Sequence, residues 1–189
     1  MQKYSIIYAD PPWDYGDRLQ HAGPGKGTTG GASTHYPTLT VEEMGTWRVG
    51  EHLATPDCLL FMWTTSPKIE DALELGRTWG FKYITVAFVW NKMRVNPGNY
   101  TMSECELCLV FKKGRIPQPR GARNVRQLVN EKRREHSRKP DGVRKRIEQM
   151  FPTQEKIELF AREKAEGWDV WGNEVESDIE LETIGELDV

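Results

Sequence analysis

Four consecutive residues, Asp10-Pro11-Pro12-Trp13, carry the most specific chemistry in this chain of 189 residues. They follow a short apolar run, Tyr4-Ser5-Ile6-Ile7-Tyr8-Ala9, that reads as a buried strand. Two prolines in a row cannot continue a strand, so it ends at Asp10. An acidic residue at the carboxyl end of a buried strand stands where open α/β sheets bind ligands. The tetrapeptide suits one chemical problem well. The exocyclic amine of a purine is a poor nucleophile because its lone pair is delocalised into the ring. A carboxylate and a fixed carbonyl can accept its two N–H bonds and localise that pair. Pro11 has no N–H and a locked φ, which fixes the direction of its carbonyl. The Trp13 indole would give the base a face to stack on. Asp-Pro-Pro by itself is equally well a turn; the preceding strand and the indole make the motif specific.

The elements that must position these residues alternate between strand and helix patterns. Thr40-Val41-Glu42-Glu43 is a capping box that predicts a helix to about Leu53. Cys58–Trp63 reads as a buried strand, and Ser66-Pro67 as the start of a helix through Trp79 closed by Gly80. Tyr83–Trp90 and Glu104–Phe111 read as further strands. Pro140 opens a helix whose Val143, Ile147 and Met150 share one face. Lys156–Phe160 and Trp168–Trp171 are two last short strands. This alternation predicts an α/β fold with a mostly parallel sheet covered by helices on both faces.

Composition narrows the class. Seven Trp, six Tyr and six Phe exclude a disordered chain. The longest apolar stretches are far too short to span a membrane, and the start lacks a signal-peptide core. Three cysteines at low density point to a reducing compartment. A soluble cytoplasmic domain is the expectation. The net charge of −2 hides two opposites. From Lys112 to Arg146, fourteen Lys and Arg face three acids, a net +11 over 35 residues. From Glu174 to Val189 there are seven acids and no base. The basic run is either a solvated face or a phosphate-binding surface, with Arg120, Arg123, Arg126, Arg133 and Arg134 as candidate contacts.

Taken in order, the blocks of this chain resemble the MT-A70-like family of adenine-N6 methyltransferases, which use S-adenosylmethionine. The likeness runs from Tyr4 to about Glu174. It is carried by Asp10–Trp13, His35-Tyr36-Pro37-Thr38, Leu60–Trp63, Trp79-Gly80-Phe81, Val89-Trp90-Asn91-Lys92 and Glu106–Val110. Lys112-Lys113-Gly114, Lys139-Pro140-Asp141, Ile157–Arg162 and Gly172-Asn173-Glu174 complete it. The resemblance implies a circularly permuted Rossmann-like class I methyltransferase fold in a domain of residues 1–175. That domain would carry a mobile loop at about 14–36 and a basic loop at about 114–138, with a flexible acidic tail at 176–189.

The resemblance also implies roles. Asp10, Pro11, Pro12 and Trp13 match the catalytic tetrapeptide, and Asp10 would lie close to the amino group of the cofactor's methionine part. Lys139 would pair with the methionine carboxylate, Arg162 would contact the ribose, and Asn173 and Glu174 would hold the adenosine end. A glutamine is common in the family where this chain has Glu174, and a carboxylate cannot donate as an amide does. Glu106 matches a family position near the site; from its strand alone it reads as an exposed residue. Transfer would be direct and in line, without a covalent enzyme intermediate or a metal. The small stand-alone size resembles bacterial or phage members, which favours DNA as the substrate. RNA and a non-catalytic nucleic-acid-binding relative are the alternatives, and a homodimer is compatible with the sequence without being inferable from it.

Weaker signals need less. Cys105 and Cys108 form a C-x-x-C without the four ligands of a structural zinc site. The Gly23–Gly31 stretch lacks the Ser or Thr after Lys26 that a phosphate loop requires; a gate beside the site is the better reading, with His35 and Tyr36 as substrate contacts. Tyr36 serves equally well as a staple before the Thr40 helix. Trp63, Trp79 and Trp90 read as core, with Trp13 as the exception.

Overall fold

The structure, a computed structural model, describes residues 2–15, 38–98, 100–134 and 138–181. The loop assigned to about 14–36 lies almost wholly outside the described residues, and so do His35 and Tyr36.

Seven strands form one sheet: β1 (Tyr4–Ala9), β2 (Ala54–Thr64), β3 (Lys82–Asn96), β4 (Ser103–Lys113), β5 (Leu128–Asn130), β6 (Lys156–Leu159) and β7 (Asp169–Trp171), in the order β5-β3-β4-β2-β1-β6-β7. β1 lies between β2 and β6 and is parallel to both, with Ile7 opposite Leu60 and Ile157. β3–β5 and β6–β7 are parallel as well. β4 is antiparallel to both β2 and β3, because β3 and β4 form a hairpin with a short connection. The sheet is mostly parallel, consistent with a Rossmann-like fold.

Alternation along the strands divides the core between two faces. Ile7, Ala9, Leu60, Met62, Ile157 and Leu159 pack on the side of α1 (Val41–Gly45), α2 (Val49–His52) and α3 (Ile69–Thr78). Ile6, Tyr8, Phe61, Trp63, Phe88 and Trp90 pack on the side of α4 (Asp141–Met150), whose Val143 and Ile147 are fully buried. At 25 cal/mol per Å², each such aliphatic side chain contributes about 2 kcal/mol.

Several boundaries depart from the sequence reading. The Thr40 capping box is present in both directions. The expected helix to Leu53 nevertheless breaks after Gly45: the Thr46 hydroxyl donates to the Glu43 carbonyl, and Trp47 turns into an aromatic cluster with Phe160 and Trp171. A 3₁₀ turn at Ser66–Lys68 precedes α3. Gly80, at φ +83°, ends that helix in a conformation that side chains resist. β5 lies inside the basic run, where periodicity gave no hint of a strand. The segment expected to begin a flexible tail at 176 is docked through its first residues. Asp178 exchanges bonds with the Val170 backbone and pairs with Lys164, while Ile179 and Leu181 pack on the core. No helix among the described residues is long and apolar enough to cross a membrane.

Candidate active site

The sequence places Asp10 one residue beyond the carboxyl end of β1, and the fold surrounds it with charge. Lys139 Nζ lies 3.0 Å from Asp10 Oδ1 and 3.2 Å from Glu106 Oε2. Lys92 Nζ lies 3.4 Å from the other oxygen of Glu106. Asp10, Lys139, Glu106 and Lys92 therefore form an alternating row drawn from the end of β1, the residue before Pro140 and α4, and strands β4 and β3. The Lys139 ammonium also sits 5.7 Å from the Trp63 ring centre.

Burial and pairing set the protonation of this row. Burial pushes the Asp10 carboxyl upward, and Lys139 offsets part of that rise. Burial acts the same way on Glu106, but there Lys139 and Lys92 prevail and hold it below its usual range. Burial opposes the charge on Lys139, yet Asp10 and Glu106 raise its pKa and keep it an ammonium.

Beside the row opens a cleft of about 660 Å³, lined by Tyr8, Asp10, Lys139, Glu158, Phe160, Arg162 and Glu174 among others. Glu158, in the centre of β6 opposite Tyr8, pairs with Arg144 of α4 at 2.6 Å. Burial raises Glu158 to about 7, with Arg144 offsetting only part of the effect. Arg162 Nε lies 3.7 Å from Glu174 Oε1 across the cleft. Phe160 adopts φ +60° at the end of β6, a left-handed backbone unusual for a bulky side chain, and packs against Trp47, Trp79 and Trp171.

The family model for MT-A70 matches residues 4–174. The chain belongs to the MT-A70 family. Among its relatives is the Type II methyltransferase M.MunI of a Mycoplasma species, 50% identical over 99% of this chain and 84% of that protein. An Arabidopsis thaliana N(6)-adenosine-methyltransferase MT-A70-like protein is 31% identical over 91% of this chain. The human N(6)-adenosine-methyltransferase catalytic subunit METTL3 is 29% identical over 92% of it. This chain spans 24% and 28% of those two longer proteins. The MT-A70 assignment makes the chain a methyltransferase.

Within this MT-A70 chain, Asp10, Lys139, Arg162 and Glu174 come together around one cleft that Arg133 and Arg134 also line, and Glu106 stands outside the lining, paired to Lys139. Asn173 is exposed and outside the cleft lining. The Pro11 carbonyl accepts the Trp13 N–H at 2.9 Å and the Pro12 carbonyl accepts from Leu39; the Pro11 oxygen keeps one lone pair for another donor. Trp13 departs from its expected part. It is 5% exposed, belongs to the core, and donates its indole N–H to the Trp63 carbonyl. An indole so enclosed braces the Asp10-Pro11-Pro12 turn and has little face to offer a base.

The basic candidates divide. Arg134 is engaged by Glu131 and Asp141, each at 2.8 Å. Arg120 is half-buried with its guanidinium 5.6 Å from the Phe151 ring centre. Arg123 and Arg126 are exposed, and none of these last three lines the cleft. Sequence reasoning missed Arg144, Glu158, Lys92 and Phe160. Glu158 had a signal: a carboxylate in the middle of the apolar strand Ile157–Leu159 requires a partner or a function. Lys92 follows an apolar strand in the same way. Cys108 is buried, and burial raises its thiol well above the usual range.

Proposed function

We propose that this methyltransferase transfers a methyl group from S-adenosylmethionine to the N6 amine of adenine in DNA, with Asp10 and the Pro11 carbonyl holding the amine. The observation that carries this reading is the salt-bridged Asp10 at the carboxyl edge of β1, opening on a cleft with both charge signs. The cleft lies within the usual size range for small-ligand sites. Its charged groups, two of them acceptors and two donors, suit a zwitterionic ligand with a nucleoside end. Asp10 would take the ammonium, Lys139 the carboxylate, Arg162 and Glu174 the ribose hydroxyls, and Phe160 offers a ring near the base. Asn173 would have to approach from the rim. The domain proposed for this activity reaches at least Leu181, because Asp178, Ile179 and Leu181 dock on β7 and the core.

Bound there, S-adenosylmethionine supplies a methyl group on a positively charged sulfur. The chain's part is positional and electrostatic. Asp10 Oδ and the free lone pair of Pro11 O accept the two N6 hydrogens and localise the nitrogen lone pair toward the incoming carbon. Lys139 and Glu106 keep Asp10 in one place. The sulfonium would give up its methyl group to N6, leaving as a neutral thioether, and the amine's surplus proton would pass to solvent. Arg123 and Arg126 would meet phosphates outside the cleft.

Likeness to a Type II methyltransferase over nearly the whole chain supports DNA over RNA. The test offers the purified protein and S-adenosylmethionine duplex DNA, single-stranded DNA and RNA, and quantifies N6-methyladenine in each. N6-methyladenine in DNA is the expected product. Methylated RNA beside unmodified DNA would overturn the substrate, and methylated cytosine the reaction.

A further inference from the structure

The carboxyl edge of the sheet carries one feature that the reaction has not used. β3 runs parallel to β1, since each strand of the series β1–β2–β4–β3 fixes the direction of the next: parallel, antiparallel, antiparallel. The far end of β3 therefore rises at the same edge as Asp10. β1 ends at Ala9 and β2 at Thr64, whose partner is Leu107. β4 continues back to Ser103 and β3 on to Asn96. The β3–β4 hairpin thus overhangs the catalytic edge by four residues of β4, about 13 Å at 3.3 Å each, before its connection begins.

The root of the hairpin belongs to the site: Glu106 and Lys92 are members of the charge row. Its far end exposes several large apolar side chains among polar ones. Met93, Val95 and Met102 are exposed, and Tyr100 is 101% exposed. Met93 adopts φ +52°, with its N–H held by Asn91 Oδ1 at 2.9 Å, and the ladder shifts register between Asn91 and Asn96. This break re-aims the outer hairpin. A basic collar runs from the root into this outer part. Arg94 and Lys132 are exposed, and the Arg133 N–H donates to the Lys92 carbonyl.

Asp10 sits in a cleft with its side chain one-fifth exposed. The N6 amine of a paired adenine lies inside the stack, so the base must leave the duplex to reach it, and a gap remains behind. Building on the proposed DNA reading, we propose that the end of the β3–β4 hairpin, with Tyr100 foremost and Met93, Val95 and Met102 behind it, is a wedge that enters the duplex. It fills the space of the extruded adenine while the basic collar holds the flanking phosphates. An apolar or aromatic side chain between base steps beside cationic phosphate contacts is the chemistry such insertion requires.

The experiment compares the wild type with Tyr100→Ala and Tyr100→Phe, after the methylated site has been mapped on plasmid DNA. Three oligonucleotides carry that site: a fully paired duplex, the same duplex with an abasic position opposite the target adenine, and the single strand. Tyr100→Ala should lose about 10- to 100-fold on the paired duplex and stay within about twofold on the two substrates whose adenine is already unpaired. Tyr100→Phe should restore the paired-duplex rate. With 2-aminopurine at the target, the wild type should raise its fluorescence on binding and Tyr100→Ala should not. Undiminished activity of Tyr100→Ala on paired DNA would overturn the wedge, as would an equal loss on all three substrates. A wild-type dimer in sedimentation that Tyr100→Ala dissociates would assign the tip to a second copy of this chain and overturn it too. A plasmid left unmodified by the wild type would refute the functional reading itself, a result distinct from all of these.

Discussion

Two buried charge clusters stand on either side of the β1 terminus, and they are built on different rules. On the β4 side, two carboxylates and two ammonium groups alternate through Asp10, Lys139, Glu106 and Lys92. On the β6 side, Glu158 faces Arg144, with Glu163 at 4.0 Å as a weak third member. The row gives Glu106 two cations and holds it below its ordinary range, whereas Glu158 has one cation against its burial and rises to about 7. Buried carboxylates stay charged when cations surround them on more than one side, and a single partner does not compensate lost water. Asp10, at the end of the row with Lys139 as its one salt-bridge partner among the described residues, is pushed upward by burial as Glu158 is. Within the row only Glu106 is held below its range, and Asp10 depends on Lys139 for the negative charge that receives an amine.

The largest effect should come from breaking the row at its catalytic end. Asp10→Ala should reduce transfer by about 10³-fold or more while S-adenosylmethionine binding falls by about 10- to 100-fold, the loss of one charge-assisted contact to its ammonium. Turnover against calorimetric affinity measures the two separately, and near-normal turnover would end the assignment. Lys139→Met tests the row as a unit. It leaves the Asp10 and Glu106 carboxylates without the cation between them, a loss of about 3–5 kcal/mol in urea unfolding. Adding Asp10→Asn should recover part of that loss, and strict additivity of the two changes would show that the row is not coupled.

Glu158 sharpens the contrast through pH. Burial holds its folded pKa at about 7, above the 4.5 of the free side chain, so the folded state binds the proton more tightly between those values. The stability this supplies is complete below about pH 4.5 and is lost as the pH rises through 7. Glu158→Gln does not titrate. Its stability relative to the wild type should thus climb by about 3 kcal/mol between pH 4.5 and 8. Parallel stability curves for the two proteins would show that Glu158 ionises normally.

How much of this was legible in the sequence depended on range. The capping box at Thr40 and the strand stop at Asp10 are written in adjacent residues, and both are found. Trp47 broke the predicted helix because its ring partners, Phe160 and Trp171, lie more than a hundred residues away. β5 has three residues, too few for any period, and is secured by Arg146 donating to the Arg126 and Leu128 carbonyls. Trp13 looked like a platform because its neighbours carry the chemistry; that its N–H is engaged by Trp63 follows from the pairing of distant strands. The +11 run misled in the same way. Its Lys139, Arg138 and Arg144 are matched by Asp10, Glu106, Glu158 and Glu163, acids that all lie outside the window from 112 to 146.

That redistribution of charge leads to the smallest effect and the last contrast, between cations inside the cleft and those outside it. A guanidinium locked to a buried carboxylate has little left to give a phosphate, whereas Arg123 and Arg126 stand exposed outside the cleft. Replacing both with Ala should leave the single-turnover rate of bound DNA unchanged and weaken DNA binding uniformly across sequences. The slope of log affinity against log salt should fall by about 1 for each residue removed. An unchanged salt slope would return both arginines to the solvated surface. The phosphate contacts would then have to come from the collar of Arg94, Lys132 and Arg133 around the hairpin, where substitution should lower the slope instead.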